Sequence, residues 1–246
     1  MKLAIMQPYI FPYVGYFQLI QAVDKLVLLD DVHYIKKGWI NRNKLLVDGK
    51  PYCFSIPLER ASQNRLIKDI KIVSEVIWKK KLLKTIEFSY RCAPYFNNVY
   101  PIIQEILYRD EVYISRLIYI TLNILVNYIG IHKEIVPSSV IYNNRHLKSQ
   151  DKIIDICRQE KASLYINSSG GKSLYDKSAF DEYGIELSFI NPGFKEYEQN
   201  NCSFIPGLSI IDVLMYNSPS ESIGILENYS MENRSRSYSE ELKKVE

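Results

Sequence analysis

An imidazole and a carboxylate stand two residues apart directly after a predicted strand. Asp31 and His33 follow the apolar run Lys25–Leu29, and their side chains project on one face if the strand continues through them. A neighbouring carboxylate favours the imidazolium form, which tunes a histidine to act as a general base near neutral pH. The spacing therefore predicts a catalytic pair of His33 and Asp31. The alternative is a histidine that pairs with an acid in a surface turn.

Cationic, aromatic and amide side chains follow this pair closely along the chain. A guanidinium binds phosphate or carboxylate through two parallel hydrogen bonds, and amides orient hydroxyl groups. A tryptophan lies among them, where its ring either stacks on a base or a sugar or fills the core. The predicted substrate-binding residues of this cluster are Lys36, Trp39, Asn41, Arg42 and Asn43. A solvated charged face is the alternative interpretation.

Two further predicted loops carry groups that suit a ligand. Gln7 ends the first strand and is restrained by Pro8, so its amide offers a donor and an acceptor at a fixed place. Gly170, Gly171 and Lys172 follow another predicted strand, where exposed amides and an ammonium group favour an anion. Their spacing is not that of a phosphate-binding loop, so a plain turn is the alternative.

These residues need a sheet whose strands end at one edge. Predicted strands at Met1–Met6, Lys25–Asp30, Leu164–Ile166 and Ile185–Ile190 alternate with helical patterns. Such alternation is typical of an α/β fold with a Rossmann-like, mainly parallel sheet. Ligands in open sheets of this kind bind beyond the carboxyl ends of the strands, which is where the polar residues above fall.

The chain divides into four predicted regions. Residues 1–73 form an N-terminal α/β half, and residues 132–226 form a C-terminal α/β half. Residues 74–131 show helical periodicity throughout and predict an all-helical insertion. Residues 227–246 are polar and lose the apolar spacing, which predicts a disordered tail.

Composition narrows the choice of partners and location. A net charge of +3, with acids and bases interspersed, does not indicate a nucleic-acid partner. The 4 cysteines lack metal-ligand spacing, so no metal site is predicted. No signal-peptide segment follows Met1, and polar residues interrupt the most apolar segment, Tyr113–Ile131. We expect a cytoplasmic protein without membrane insertion.

Several short motifs resemble those of the WbqC-like family, and the resemblance covers nearly the whole chain to about residue 225. The motifs are QPYIFPYVGYF (residues 7–17), DDV (30–32), GWINRN (38–43), YIN with GGK (165–172), GIE (184–186) and GLSIID (207–212). The resemblance implies an enzyme that modifies sugars in the biosynthesis of O-antigen or other surface polysaccharides. It also adds Tyr9, within the first motif, to the predicted substrate-binding residues.

The reaction that the resemblance implies is acyl or aminoacyl transfer to the amine of a nucleotide-linked amino sugar. In that scheme Lys36, Arg42 and Lys172 hold phosphates, while His33 takes a proton from the attacking amine. Asn41 and Asn43 would orient the sugar. No tightly bound cofactor is expected, and the donor is a thioester of an acyl carrier protein or of coenzyme A.

Two alternatives stay open at this stage. One is a nucleotide-dependent ligase or nucleotidyltransferase of the same pathway, in which Asp30 and Asp31 bind magnesium. The other is a non-catalytic binding subunit of a glycan-assembly complex.

Overall fold

The computed structural model of the protein describes residues 1–200 and 203–233. Within these ranges the strands are β1 (Lys2–Met6), β2 (Lys25–Leu28), β3 (Arg42–Val47), β4 (Lys50–Ser55), β5 (Leu58–Glu59), β6 (Lys71–Ile72), β7 (Glu134–Val136), β8 (Leu164–Ser168), β9 (Glu186–Pro192) and β10 (Tyr229–Asn233). The α-helices are α1 (Val14–Ala22), α2 (Ile77–Tyr90), α3 (Phe96–Tyr108), α4 (Ile114–Ile129), α5 (Ser149–Gln159), α6 (Lys177–Asp181), α7 (Ile210–Tyr216) and α8 (Pro219–Leu226).

A six-stranded sheet forms the centre, in the order β10-β9-β8-β1-β2-β7. Its strands pair in parallel except for β10, which runs antiparallel to β9 at one edge. In the register, Ile5 lies opposite Val27 and Leu3 lies opposite Tyr165. The predicted α/β class with a mainly parallel sheet is confirmed. Its assignment as Rossmann-like stays a prediction.

Both faces of the sheet are buried. Ala4 and Leu26 belong to one apolar cluster, and Leu3, Ile5 and Val27 belong to another, because successive strand residues point to opposite faces. A sheet covered on both sides needs apolar residues at successive positions, which explains the continuous apolar runs of these strands. Helices α1–α4, α7 and α8 contribute to the first cluster, and α5 and α6 contribute to the second.

Three consecutive helices, α2, α3 and α4, lie between β6 and β7. Their buried residues belong to the same cluster as those of α1 and of the adjoining sheet face. The helical content predicted for residues 74–131 is therefore present. That this segment is an insertion, and that the chain divides at residues 73, 131 and 226, stay predictions. Within residues 1–200 and 203–233, every helix is too short or too polar to span a bilayer.

A hairpin precedes these helices and carries part of the site. Strands β3 and β4 pair antiparallel around Asp48 and Gly49. Both turn residues have positive φ, 48° and 71°, which is the geometry of a two-residue hairpin turn that fits the strand twist.

Two predicted boundaries are wrong. Strand β2 ends at Leu28, so it does not continue through Asp31 and His33. The tail predicted to be disordered from residue 227 contains β10, which pairs with β9 over Tyr229–Asn233. An antiparallel edge strand is held by backbone hydrogen bonds and tolerates polar side chains, so apolar spacing did not reveal it. Residues 234–246 of the predicted tail lie outside the described residues.

A buried carboxylate joins α7 to two distant segments. Asp212 is fully buried and accepts hydrogen bonds from the Tyr90 hydroxyl (2.9 Å), the Tyr197 hydroxyl (2.6 Å) and the Gln199 amide (2.7 Å). Burial raises the pKa of Asp212. A desolvated carboxylate is retained at little cost only where several donors compensate it, as they do here.

We expect Asp212→Ala to lower the free energy of unfolding by about 3 kcal/mol, because it leaves three buried donors without their acceptor. Urea denaturation measures the change. The matched control is Asp181→Ala on the exposed end of α6, which should change stability by less than about 0.5 kcal/mol. Equal stability of the two variants would show that the Asp212 network contributes nothing net.

Candidate functional site

A cavity lies beyond the carboxyl ends of β1 and β8. Strands β2 and β7 extend the sheet to one side of β1, and β8, β9 and β10 extend it to the other. Ligands of open α/β sheets bind at such a reversal of strand order. The cavity measures about 380 Å³, and Met6 and Ser168, the last residues of β1 and β8, both line it. We call it the aromatic cavity after its side walls, which include Tyr9, Tyr13, Tyr16, Trp39, Lys44 and Phe194.

Three tyrosines from the loop after β1 and the first turn of α1 form one wall. The rings of Tyr9 and Tyr16 lie 5.6 Å apart, and the Tyr16 hydroxyl donates to the Gln7 carbonyl at 3.0 Å. Burial raises the pKa of Tyr9, Tyr13 and Tyr16, so their hydroxyls are neutral hydrogen-bonding groups at neutral pH. A Cβ on Gly15 would lie 2.5 Å from the Tyr13 ring, so glycine is needed for this close approach.

Trp39 forms another part of the wall and is flanked by two cations. The guanidinium carbon of Arg42 lies 5.4 Å from the centroid of its ring, and the Lys44 ammonium lies 5.6 Å from it. Trp39 is 40% exposed, so part of its surface is accessible to a ligand. Lys44 lines the cavity and was missed from the sequence, although it directly follows the predicted Asn43.

The loop after β1 is held in place by two side chains from distant segments. Phe11 has a φ of 40°, which is strained for a residue with a side chain. Its carbonyl accepts hydrogen bonds from the Asn43 amide at 2.8 Å and the Ser209 hydroxyl at 2.7 Å. The Ser209 backbone amide donates in turn to the Lys44 carbonyl at 2.8 Å. These bonds set the shape of the cavity wall.

The predicted amide ligands therefore have structural partners. Asn43 is 4% exposed and bonds to the loop backbone, so although it lines the cavity its amide nitrogen is already used. Asn41 accepts from the Tyr34 hydroxyl at 2.9 Å and donates to the Ile56 carbonyl at 2.7 Å. Both side chains satisfy protein groups because the loops they join expose polar backbone that needs partners.

The predicted cations do not line the aromatic cavity. Arg42 donates to the carbonyls of Gly38 and Lys37, which closes the turn that carries Trp39. Lys36 is exposed. Of the predicted site residues within the described ranges, Tyr9, Trp39 and Asn43 line the cavity, and Gln7 contributes its carbonyl to the tyrosine wall.

The glycine loop after β8 is a short helical turn. Gly171 is buried, and a Cβ there would lie 3.1 Å from the Asn167 side-chain oxygen. Lys172 forms an ion pair with Glu232 of β10, so its ammonium is neutralised by an element missed from the sequence. The structure does not bring Gly170, Gly171 or Lys172 into the lining of the aromatic cavity.

Asp31 and His33 do not form the predicted pair. After β2 ends, the chain turns and buries Asp31, whose carboxylate accepts from the Ser139 hydroxyl and lies 2.7 Å from the Lys152 ammonium. The Asn144 side-chain oxygen accepts a second bond from Lys152 at 2.9 Å. His33 is exposed on the same loop. Asp31 and His33 were expected on one face of a strand, but β2 ends at Leu28, before either residue. The catalytic role of these residues stays a prediction.

A second cavity, of about 360 Å³, lies between the carboxyl ends of β2 and β7 and helix α4. Asp30, 2% exposed, contributes to its lining and accepts from the Ser138 hydroxyl at 2.6 Å. Burial, with a smaller effect from the neighbouring Asp31 charge, raises the pKa of Asp30 to about 6. We call this space the Asp30 cavity.

The fold is that of an open-sheet α/β protein with a cavity at the reversal of its strand order. The chain belongs to the WbqC-like protein family, whose model matches residues 7–223. It is 27% identical over 216 residues to the uncharacterized protein Rv1507c of Mycobacterium tuberculosis, covering 87% of this chain and 92% of that protein. No solved structure matches the chain. Residues 7–223, which the family model matches, include Phe11, Asn43 and Ser209, the residues that meet at the Phe11 carbonyl.

We expect Asp30→Asn to stabilise the protein at high pH. The pKa of Asp30 is about 6 in the folded chain against 3.8 for the free side chain, so wild-type stability falls as pH rises through this window. The variant keeps an acceptor for Ser138 and does not titrate. Its unfolding free energy should exceed that of wild type by about 2–3 kcal/mol at pH 8 and match it near pH 4. Urea denaturation at both values measures this, and a variant that is less stable at pH 8 would contradict it.

Proposed function

We propose that the protein is a cytoplasmic transferase that adds an acyl or aminoacyl group to a nucleotide-linked amino sugar in O-antigen or other surface-glycan biosynthesis. The observation that carries the proposal is the aromatic cavity at the reversal of strand order, with Trp39 and Lys44 side by side in its wall. Membership of the WbqC-like family supports the pathway.

The cavity has the properties that a nucleotide-linked sugar requires. Its volume of about 380 Å³ falls in the range typical of small-ligand sites. The half-exposed Trp39 ring offers a face for a base or a sugar, and the neutral tyrosine hydroxyls suit sugar hydroxyls. Lys44 supplies a positive charge for a phosphate at the edge of the same ring.

The proposed chemistry needs a nucleophilic amine and an activated acyl group. The amine nitrogen attacks the thioester carbonyl of coenzyme A or an acyl carrier protein, the amide bond forms, and the thiolate leaves. We assign the proton of the amine to His33, which is exposed on the loop that leaves β2 and outside the lining of the aromatic cavity, so the amino sugar has to extend from the cavity to this loop. Asp31 contributes indirectly, because its ion pair with Lys152 anchors this loop.

One observation bears on the nucleotidyltransferase alternative. Magnesium bound by Asp30 and Asp31 would need both carboxylates, but the Lys152 ammonium already neutralises Asp31 at 2.7 Å. The buried ion pair therefore favours a metal-independent transfer. A non-catalytic role in a glycan-assembly complex differs from transfer in predicting no transferase activity for the protein.

Trp39→Ala should weaken binding of UDP-glucosamine by about tenfold to a hundredfold, because base–aromatic stacking contributes about 1–3 kcal/mol. Lys44→Gln should weaken it by about tenfold through loss of the charge on phosphate. The matched controls are Tyr52→Ala and Lys50→Gln on the neighbouring strand β4, outside the cavity lining. Calorimetric titration measures all four. Equal affinities for the variants and their controls would place the ligand elsewhere.

His33→Gln should lower turnover by about 10²- to 10⁴-fold with little change in affinity, because glutamine cannot take the proton. The acid limb of the pH–rate profile should disappear with it. His132→Gln is the control. His132 is exposed just before β7, at the amino ends of the parallel strands, whereas His33 lies beyond their carboxyl ends. Near-normal turnover of His33→Gln would leave His33 a positioning role.

The decisive experiment combines UDP-glucosamine with a panel of coenzyme A and carrier-protein thioesters and follows the products by mass spectrometry. Transfer predicts an N-acylated sugar and one free thiol per turnover, unaffected by removal of magnesium. Magnesium-dependent release of pyrophosphate would favour nucleotidyl transfer. Unchanged glycan acylation in a strain carrying His33→Gln together with Asp31→Asn would favour the binding subunit.

A further inference from the structure

The Asp30 cavity presents a desolvated carboxylate without a compensating cation. Among residues 1–200 and 203–233, Asp30 forms no ion pair, whereas the adjacent Asp31 is paired with Lys152. Its described side-chain partner is the Ser138 hydroxyl, which is a neutral donor. Asp30 has one described side-chain donor, compared with three for the buried Asp212, so a ligand that donates to Asp30 would reduce the cost of its desolvation.

Two cationic residues also line this cavity, and the backbone amide of one of them, Lys68, donates to the Asp30 carbonyl at 2.9 Å. The two residues are Lys68 and Arg116, and their side chains are 31% and 72% exposed, which places them towards the solvent side. Lys68 lies 3.0 Å from Asp69 and Arg116 lies 3.5 Å from Glu111, so both are partly balanced at the surface. Such exposed pairs are weak and exchange readily for a better anionic partner.

The lining between these two ends is polar and aromatic. Tyr113 directly precedes α4, and Tyr119 lies in the second turn of this helix. The Ser138 hydroxyl donates to the Asp30 carboxylate. A molecule in this space therefore meets the buried carboxylate of Asp30, aromatic rings and hydroxyls, and the more exposed positive groups of Lys68 and Arg116. The carboxylate suits an ammonium group, and the cations suit an anionic group, on one small molecule.

We propose that the Asp30 cavity binds a small molecule that carries both a primary ammonium group and an anionic group. The ammonium donates to Asp30 at the buried end, and the anion contacts Lys68 and Arg116. Free amino acids and amino-sugar phosphates share this chemistry. The inference goes beyond the proposed function, because it holds whatever occupies the aromatic cavity.

The test compares pairs of probes that differ only in the amine. Glucosamine 6-phosphate is compared with glucose 6-phosphate, and alanine with propionate, by calorimetric titration at pH 7.5. In wild type we expect the amine-bearing member of one pair to bind at least about tenfold more tightly, the strength of a charge-assisted hydrogen bond. Preference in the sugar pair assigns an amino-sugar phosphate, and preference in the alanine pair assigns an amino acid.

Substitutions then test which residues bind the ammonium group and which bind the anionic group. Asp30→Asn should remove the preference for the amine, while Asp181→Asn on α6 should keep it. Arg116→Gln should weaken both members of the responding pair by a similar factor. In the wild-type protein, amide resonances of residues 30, 138 and 113–119 should shift on titration, which tests the location without any substitution.

Three results would overturn the inference. They are equal or absent binding of both members in both pairs, a preference that survives Asp30→Asn, and resonance shifts confined to the aromatic cavity. Failure of UDP-glucosamine to bind at Trp39 would refute the proposed function and leave this inference standing. The two proposals therefore fail separately.

Discussion

The backbone carbonyl of Phe11 is the point on which the site depends. It accepts hydrogen bonds from Asn43 and Ser209, and these bonds hold a residue whose φ of 40° is otherwise unfavourable. They join the loop after β1, the start of β3 and the start of α7, which are three of the motif segments that resemble the WbqC-like family. The tyrosine wall and the turn bearing Trp39 take their relative positions from this junction.

Much of the fold was accessible from the sequence because it depends on local apolar patterns. Buried parallel strands need apolar residues at successive positions, so β1, β2, β8 and β9 and their order along the chain were recognisable. The antiparallel edge strand β10 was not, since backbone pairing alone holds it. The aromatic cavity lies at the carboxyl edge of the sheet, where the sequence predicted the site, and the functional role of this edge stays a prediction. Tyr9 and Trp39 line the cavity there as expected, while Tyr13, Tyr16 and Lys44 were overlooked beside them.

Individual roles were harder to predict, because a polar residue type does not show what it contacts. Asn41, Asn43 and Arg42 have the chemistry of ligand-binding residues, but the structure uses their hydrogen bonds on loop backbone. Asp30 and Asp31 are adjacent and chemically identical, yet one is paired with Lys152 and the other faces a cavity. That difference depends on a lysine from α5, distant in sequence, which no local pattern reveals.

The junction at Phe11 also constrains how the chain acquires its shape. Phe11 and Ser209, which form a hydrogen bond, are separated by 198 residues. One edge of β1 pairs with β8, which also comes much later in the chain. Contacts between such distant residues carry a large loop-closure entropy and form slowly. During synthesis the N-terminal aromatic loop therefore leaves the ribosome long before Ser209, although its other partner, Asn43, follows Phe11 by 32 residues. The aromatic cavity is among the last parts of the molecule to be completed, because Phe194 and Gly207 in its lining come late in the chain.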